Sequence, residues 1–150
     1  MAEDNPVRPA LGPSRRIDVE LLIAHPTMSV AEISAALGLE AHFAHSVGEE
    51  RSTPKGTILQ GRYRDTRWRY SVRYLLNDQW FAGEIEALIQ LLMPHKAFLH
   101  HVRASGGTTQ VIVQFLGDGY LADSVPVGTI AMIAELQLDF GIECFSVPQS

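Results

Sequence analysis

Six histidines are the residues of this sequence that could bind a metal ion. His42 and His45 are three residues apart in a segment that is predicted to be a strand, where an odd separation places side chains on opposite faces. Three others share a predicted helix at spacings that do not converge on one point: His95, His100 and His101. A bound metal ion needs several ligands that converge. We therefore expect no metal site, and no other cofactor is expected.

Nucleophilic catalysis would need an activated serine or cysteine, and no such pattern is present. The sequence contains no Gly-x-Ser-x-Gly turn. Cys144 precedes Phe145 in an apolar segment, which favours a small core residue. Asp18 and Glu20 share one face of a predicted strand, as an acid–base pair would, but such pairs are typical of a solvated or ion-paired face. We predict that the protein is not an enzyme, although an unrecognised site built from scattered histidines and carboxylates stays open.

The main candidate for a binding site is a basic segment. Seven of the 12 Lys and Arg residues fall in it, opposed only by Asp65: Arg51, Lys55, Arg62, Arg64, Arg67, Arg69 and Arg73. Residues 104–150 contain no basic residue. The predicted binding residues are five of these arginines: Arg62, Arg64, Arg67, Arg69 and Arg73. Either acidic strands pair with them inside the fold, or they bind an acidic partner.

Hydropathy patterns predict the elements that position this segment. Strands are predicted where apolar and polar residues alternate: 17–23, 39–47, 67–74, 111–115 and 142–147. Helices are predicted after the capping box of Ser29 and Glu32, from Asn77 or Asp78 to Pro94, from there to about Ser105, and after Pro126. Residues 49–66 are predicted to be a long polar loop.

The strand predicted at residues 67–74 has arginines on one face and aromatic residues on the other. Trp68 and Tyr70 share a face with Val72. We expect this face to be the core, with four helical residues packed across from Trp68: Phe81, Ile85, Leu88 and Leu92. Acidic residues of neighbouring strands could then pair with the arginines: Asp18, Glu20 and Glu143.

Length and composition indicate a folded domain. The chain has 150 residues, of which 46% are hydrophobic, and a formal net charge of −5. Residues 1–16 are predicted to be a flexible tail and residues 17–150 a single α+β domain. No apolar segment is long enough to span a membrane, and the first residues lack the apolar region of a secretory signal. A single cysteine excludes an internal disulfide, and we expect a cytoplasmic protein.

About five strands and three or four helices predict one mainly antiparallel sheet with helices on one face. This is an α+β sandwich of the ferredoxin-like kind. Several short motifs follow in a fixed order: Leu37-Gly38-Leu39-Glu40 at a helix end, Gly48 followed by Arg51, Trp68 in a strand, Leu99 and Gly106 around a helix end, and Leu136-x-Leu138 before the last strand.

This pattern resembles a bacterial family, domain of unknown function 4279, over roughly residues 17–147. Ala41 stands where members of that family often carry proline. The resemblance implies a fold and a bacterial setting, and it implies no catalytic residue.

The uneven charge and the lack of a catalytic pattern favour a small non-catalytic bacterial module that binds a protein partner. An immunity or accessory protein of a neighbouring gene product is the more specific hypothesis. The alternative is a nucleic-acid-binding domain that uses the basic residues from Arg51 to Arg73, which the net charge of −5 disfavours. A homodimer stays open, and no membrane partner is expected.

Overall fold

The computed structural model describes residues 16–75, 81–117 and 122–145. Its strands are β1 (Arg16–His25), β2 (Phe43–His45), β3 (Glu50–Ser52), β4 (Ile58–Arg62), β5 (Thr66–Leu75), β6 (Thr108–Leu116) and β7 (Asp139–Phe145). Its helices are α1 (Val30–Leu37), α2 (Phe81–Leu92), α3 (Lys96–Ala104) and α4 (Val127–Glu135), and a 3-10 turn at Met93–His95 joins α2 to α3. The predicted tail before Arg16, the predicted caps Asn77 and Asp78, and residues 146 and 147 of the last predicted strand lie outside the described residues.

The central strand of the main sheet is β1, and the strand order is β2-β5-β1-β6-β7. β1 pairs antiparallel with β5 and β6, and β2 pairs antiparallel with β5. β6 and β7 are parallel, because α4 crosses back over the sheet between them. The prediction of a mainly antiparallel α+β sheet of about five strands is confirmed, with one parallel pair in addition.

Apolar side chains on one face of this sheet form the core. β1 contributes alternate residues, each almost completely buried: Ile17, Val19, Leu21 and Ile23. The described helices contribute residues to the same cluster: Ile33, Leu37, Ile85, Ile89, Leu92, Leu99, Val102, Ile133 and Leu136. These helices therefore cover one face of the sheet, as predicted. The other face, which carries Glu20 and Arg69, is called the open face below.

Trp68 is fully buried on the helical face of β5, as predicted. Its indole Nε1 donates a hydrogen bond to Ser34 Oγ at 3.0 Å. The helix that contacts β5 is therefore α1, whereas α2 contacts β1. The reason lies in the strand order: α1 connects β1 to β2, and β5 lies between those two strands.

The start and stop signals of α1 act as the sequence predicts. Ser29 Oγ accepts the backbone N–H of Glu32 at 3.1 Å. Gly38 ends the helix with φ of 64°, a conformation that costs glycine little because it has no Cβ. Both signals are local in sequence, and α1 begins and ends where they predict.

The predicted polar loop at residues 49–66 is wrong, because it contains a hairpin of β3 and β4. Glu50 pairs with Arg62 and Ser52 with Ile58. The hairpin is exposed on all sides, so its strands carry no apolar alternation that could predict them. The turn had a signal, however: Pro54 and Gly56 occupy the second and fourth positions of a four-residue turn, as β-turns favour.

Two further predictions differ from the structure. The strand predicted at residues 39–47 is limited to Phe43–His45. Cys144, predicted to be a core residue, is exposed. Its strand, β7, lies at the end of the sheet order, so only β6 flanks it among the described strands. An apolar segment at an edge is buried on fewer sides than the same segment in the middle of a sheet.

Candidate binding surface

The hairpin and the start of β5 bring several predicted binding residues to one end of the sheet. Arg62 ends β4, Arg64 lies in the short connection that follows, and Arg67 is the second residue of β5. All three side chains are exposed, whereas Arg69 is half-buried further along β5. The side chain of Arg73 lies outside the described part of the chain.

On the open face, the two acidic residues of β1 lie beside basic and hydroxyl groups of β1 and β5. Glu20 accepts the Ser71 hydroxyl with Oε1 at 2.6 Å, and its Oε2 lies 3.8 Å from the guanidinium of Arg69. Asp18 lies 3.6 Å from the Arg16 Nε. Both carboxylates are buried, and buried charges require partners of this kind. Of the two predicted interpretations, pairing with an acidic strand inside the fold therefore applies to Arg69.

Glu143, the third acid predicted to pair with the arginines, does not reach the described arginines of β5. It belongs to β7, and β1 and β6 lie between β7 and β5. Its Oε2 accepts Gln114 Nε2 of β6 at 2.8 Å. Arg67 instead pairs locally with Asp65, whose Oδ2 lies 3.1 Å from Nη2.

Four other basic residues of the segment lie in the β3–β4 hairpin or directly after it, and we call them the hairpin cations: Arg51, Lys55, Arg62 and Arg64. Arg62 Nη1 donates to the carbonyl of Gly48 at 2.8 Å, and Arg51 Nη1 donates to the carbonyl of Gln60 at 3.3 Å. Within the described residues, no carboxylate lies within salt-bridge distance of any hairpin cation. The two carbonyl groups orient Arg51 and Arg62 but do not compensate their charge.

Beside these cations, the edge strand β2 carries an aromatic cluster. The rings of His45 and Tyr63 stack with centroids 3.5 Å apart, and Phe43 contacts His45 edge-on at 6.2 Å. Phe43 is 57% exposed and lies opposite Arg69 in the register with β5. Burial lowers the pKa of His45, and Arg67 lowers it further, against the opposing effects of Asp65 and Glu49.

A buried histidine that contacts an exposed serine lies elsewhere, at the end of β1. His25 Nδ1 accepts the backbone N–H groups of Thr27 and Met28 at 3.0 and 2.9 Å. Nε2 therefore carries the proton and donates it to Ser105 Oγ at 2.9 Å. A general base must instead accept the serine proton. Ser105 Oγ itself donates to the carbonyl of His101 at 2.7 Å, so the pair ties β1 to the end of α3.

The buried His25 predicts a pH-dependent stability. Burial lowers the pKa of His25 below its ordinary value of 6.5, and the nearby His101 lowers it further, although Glu32 raises it. As the pH falls, His25 is therefore protonated at a higher pH in the unfolded chain than in the folded chain. The stabilising contribution is present above pH 6.5 and is lost as the pH falls from that value toward the folded pKa. Urea unfolding at about pH 7.5 and about pH 5.5 should show lower stability at the lower pH.

Substitution separates the contributions of the two shifted histidines. His25→Asn keeps an acceptor for the two backbone N–H groups and removes the titration, so the loss of stability with falling pH should be smaller. His45→Gln should reduce it further, because burial also lowers the pKa of His45. An unchanged loss in the His25→Asn variant would contradict this assignment.

A shallow open groove of about 1260 Å³ runs beside α1, with Arg62 at its rim. The backbone N–H groups at the start of the helix already have partners there. Ser46 Oγ accepts the N–H of Val30 at 2.9 Å, and Ser29 Oγ accepts that of Glu32. Few backbone N–H donors are therefore left to bind an anion in the groove. Arg62 is the one hairpin cation that lines it.

The described residues contain no group of three or more His, Cys, Asp or Glu side chains that could hold a metal ion. No helix among them is long and apolar enough to cross a membrane.

The model of the family described as Domain of unknown function (DUF4279) matches residues 15–144. The chain belongs to the DUF4279 family. The DUF4279 match includes the main sheet, the hairpin cations and nearly all of β7. No curated protein and no solved structure matches the sequence. The DUF4279 description names no activity, so the roles of these residues rest on their contacts.

The sequence predicts the basic segment but not its division into arginines that pair with carboxylates, Arg67 and Arg69, and the hairpin cations. The carbonyl contacts of Arg51 and Arg62 depend on the hairpin, which was not predicted. His25 and Ser105 were not singled out, because 80 residues separate them in the chain. The proline and glycine of the hairpin turn were the one local signal that could have revealed the position of the hairpin cations.

Proposed function

We propose that this chain is a non-catalytic module that binds an acidic segment of a partner protein through the hairpin cations. One observation carries the proposal: no carboxylate of the described residues pairs with these exposed cations, and Arg51 and Arg62 contact neutral carbonyls, whereas other cations pair with carboxylates. Lys96, for example, lies 2.7 Å from Glu135, and Arg103 lies 2.7 Å from Asp139. A cluster of uncompensated exposed charge attracts ligands of opposite sign and speeds their encounter.

The hairpin also offers apolar contact area, which favours a protein partner. Ile58 is 67% exposed and Leu59 is exposed beside it on β4. Apolar side chains surrounded by arginines are typical of protein interfaces. For nucleic acid, two aromatic rings of this region are already engaged: Tyr63 stacks on His45, and Tyr70 packs on the core face beside Trp68.

The test compares charge removal at two places. The tagged chain captures its partner from a lysate of the bacterial host, and affinity is then titrated with the isolated partner. Replacing the four hairpin cations by glutamine should weaken binding by at least about tenfold. The matched control Lys96→Gln removes an exposed positive charge that Glu135 already compensates, and it should leave binding unchanged. Both variants should keep their free energy of unfolding within about 0.5 kcal/mol of the parent.

Two outcomes would contradict the proposal. Equal binding by the hairpin variant and the parent would exclude the hairpin cations. Capture of DNA or RNA, with affinity falling by roughly one log unit per log unit of salt for each phosphate contacted, would favour the nucleic-acid alternative.

The fold class can be specified further, and we infer a ferredoxin-like sandwich with an added αβ unit. Four strands have the spatial order β2-β5-β1-β6, and each neighbouring pair is antiparallel. Along the chain, α1 lies between β1 and β2, and α2 and α3 lie between β5 and β6. This arrangement supports the split βαβ pattern of that fold. The α4–β7 unit then extends the sheet beyond β6.

The cellular setting belongs to the same proposal. We expect a bacterial cytoplasmic protein, where the exposed thiol of Cys144 would remain reduced. An immunity or accessory protein works by covering a surface of its partner, and a cationic hairpin suits that task. The product of an adjacent gene is therefore the first partner to test, and failure of every adjacent gene product to bind would exclude the immunity role.

A further inference from the structure

The outer edge of β7 carries exposed apolar side chains, and no described strand covers it. Phe140, Ile142 and Phe145 are 43%, 64% and 48% exposed, and Cys144 is exposed as well. Among the described strands, β7 pairs only with β6. Natural edge strands usually carry charged side chains, above all lysine, or proline or a bulge that prevents pairing with another chain. β7 has no lysine, proline or bulge, and its two carboxylates, Asp139 and Glu143, have partners within the chain.

The backbone of β7 presents a regular set of groups at this edge that pair with no other described strand. The carbonyl of Phe145 accepts the N–H of Gly117, so the backbone of Phe145 faces β6. Strand residues alternate in this respect, and the backbone groups of Gly141 and Glu143 therefore face β6 too. Those of Phe140, Ile142 and Cys144 point away from the sheet, ready for a further strand.

These three residues are symmetrically placed for pairing with an identical strand. An antiparallel copy centred on Ile142 puts Ile142 opposite Ile142 and Phe140 opposite Cys144. Each facing pair would exchange two backbone hydrogen bonds. The three side chains share one face of β7, so the apolar residues of both copies would meet on the same side.

The charges of β7 also permit this pairing. Asp139 is paired with Arg103 at 2.7 Å, and Glu143 accepts Gln114 at 2.8 Å, so each carboxylate has a partner within its own chain. In the register centred on Ile142, Glu143 of one copy faces Gly141 of the other. Like charges directly opposite one another would destabilise a strand pair, and this register has none.

From this edge, we propose that the protein forms a homodimer in which two β7 strands pair antiparallel about Ile142. The two main sheets then become one continuous sheet. α4 contacts β7 and exposes two further apolar side chains, Val127 and Ile130. The hairpin lies between β2 and β5 in the chain, and β2 forms the edge of the sheet opposite β7, so pairing through β7 does not involve the hairpin cations.

Sedimentation equilibrium of the purified full chain tests the proposal. The parent should sediment at twice the mass of one chain, and the dimer should persist at high salt because its contacts are apolar and backbone groups. Ile142→Lys should give a monomer. The matched control Ile58→Lys changes an isoleucine of similar exposure on the hairpin and should leave the dimer intact.

Cysteine crosslinking tests the register. Phe140→Cys should form a disulfide-linked dimer with the native Cys144 of the second copy under mild oxidation, because paired strand positions lie within disulfide distance. The same substitution in a Cys144→Ser background should not crosslink, because position 140 does not face itself. A monomeric parent, or a dimer that survives Ile142→Lys, would overturn the proposal. Binding through the hairpin cations is measured separately and does not depend on this result.

Discussion

Trp68→Ala will lower the free energy of unfolding by about 3–5 kcal/mol, the cost of removing a large buried aromatic side chain. Trp68 is fully buried beneath α1, and its indole N–H is satisfied by Ser34. The substitution leaves a cavity between β5 and α1, and the Ser34 hydroxyl loses the indole N–H that it accepts. Typical domains have about 5–15 kcal/mol of stability in total, so the variant will be only marginally folded. Urea denaturation monitored by circular dichroism measures the change.

Two controls separate packing from hydrogen bonding at this site. Ser34→Ala removes only the partner of the indole N–H and should cost about 1 kcal/mol. Trp68→Phe keeps most of the buried area and should fall between the two values. A denaturation midpoint of Trp68→Ala equal to that of the parent would show that the indole is not part of the core.

Gly107→Ala will destabilise the protein by about 1–3 kcal/mol through overpacking. A Cβ at this position would lie 2.7 Å from the Ala24 carbonyl oxygen, 2.7 Å from His25 Cδ2 and 2.8 Å from Val102 Cγ1. None of these atoms is the far end of a flexible side chain. The carbonyl belongs to β1. The His25 ring is held in place because it accepts two backbone N–H groups and contacts the Ser105 hydroxyl.

The same substitution at Gly83 is the matched control, with the opposite sign. Gly83 lies inside α2, and a Cβ there meets no atom within 4 Å. Gly83→Ala should therefore stabilise the protein by about 0.5–1 kcal/mol, because alanine favours the helix and restricts the unfolded chain. Thermal denaturation of the parent and both variants measures the two changes in stability. Equal effects at the two positions would contradict the close approach at Gly107.

The elements that could be predicted from the sequence are those whose signals are local. Ser29 and Gly38 bound α1, and alternation identified β1, β5 and β6. The alternation of β5 also assigned Trp68 to the core and Arg69 to the opposite face. Each of these inferences uses residues within a few positions of each other, where backbone geometry alone fixes which side chains share a face.

The tertiary structure decided which strands are neighbours, and that decision determines the candidate surface. Glu20 and Ser71 meet across 51 positions of sequence, and no periodic pattern encodes such a pairing. Strand order makes β7 an edge, so Cys144 is exposed although its local segment is apolar.

By itself, then, the sequence determined an α+β domain of the DUF4279 family with a basic segment before and within one strand. Only the tertiary structure divided that segment, because the charge on an arginine is compensated or left free by groups that are distant in the chain. Arg69 is near Glu20 of β1, whereas Arg62 contacts the carbonyl of Gly48, which precedes the hairpin. Local patterns set the direction of each side chain, and packing of distant elements sets what it contacts.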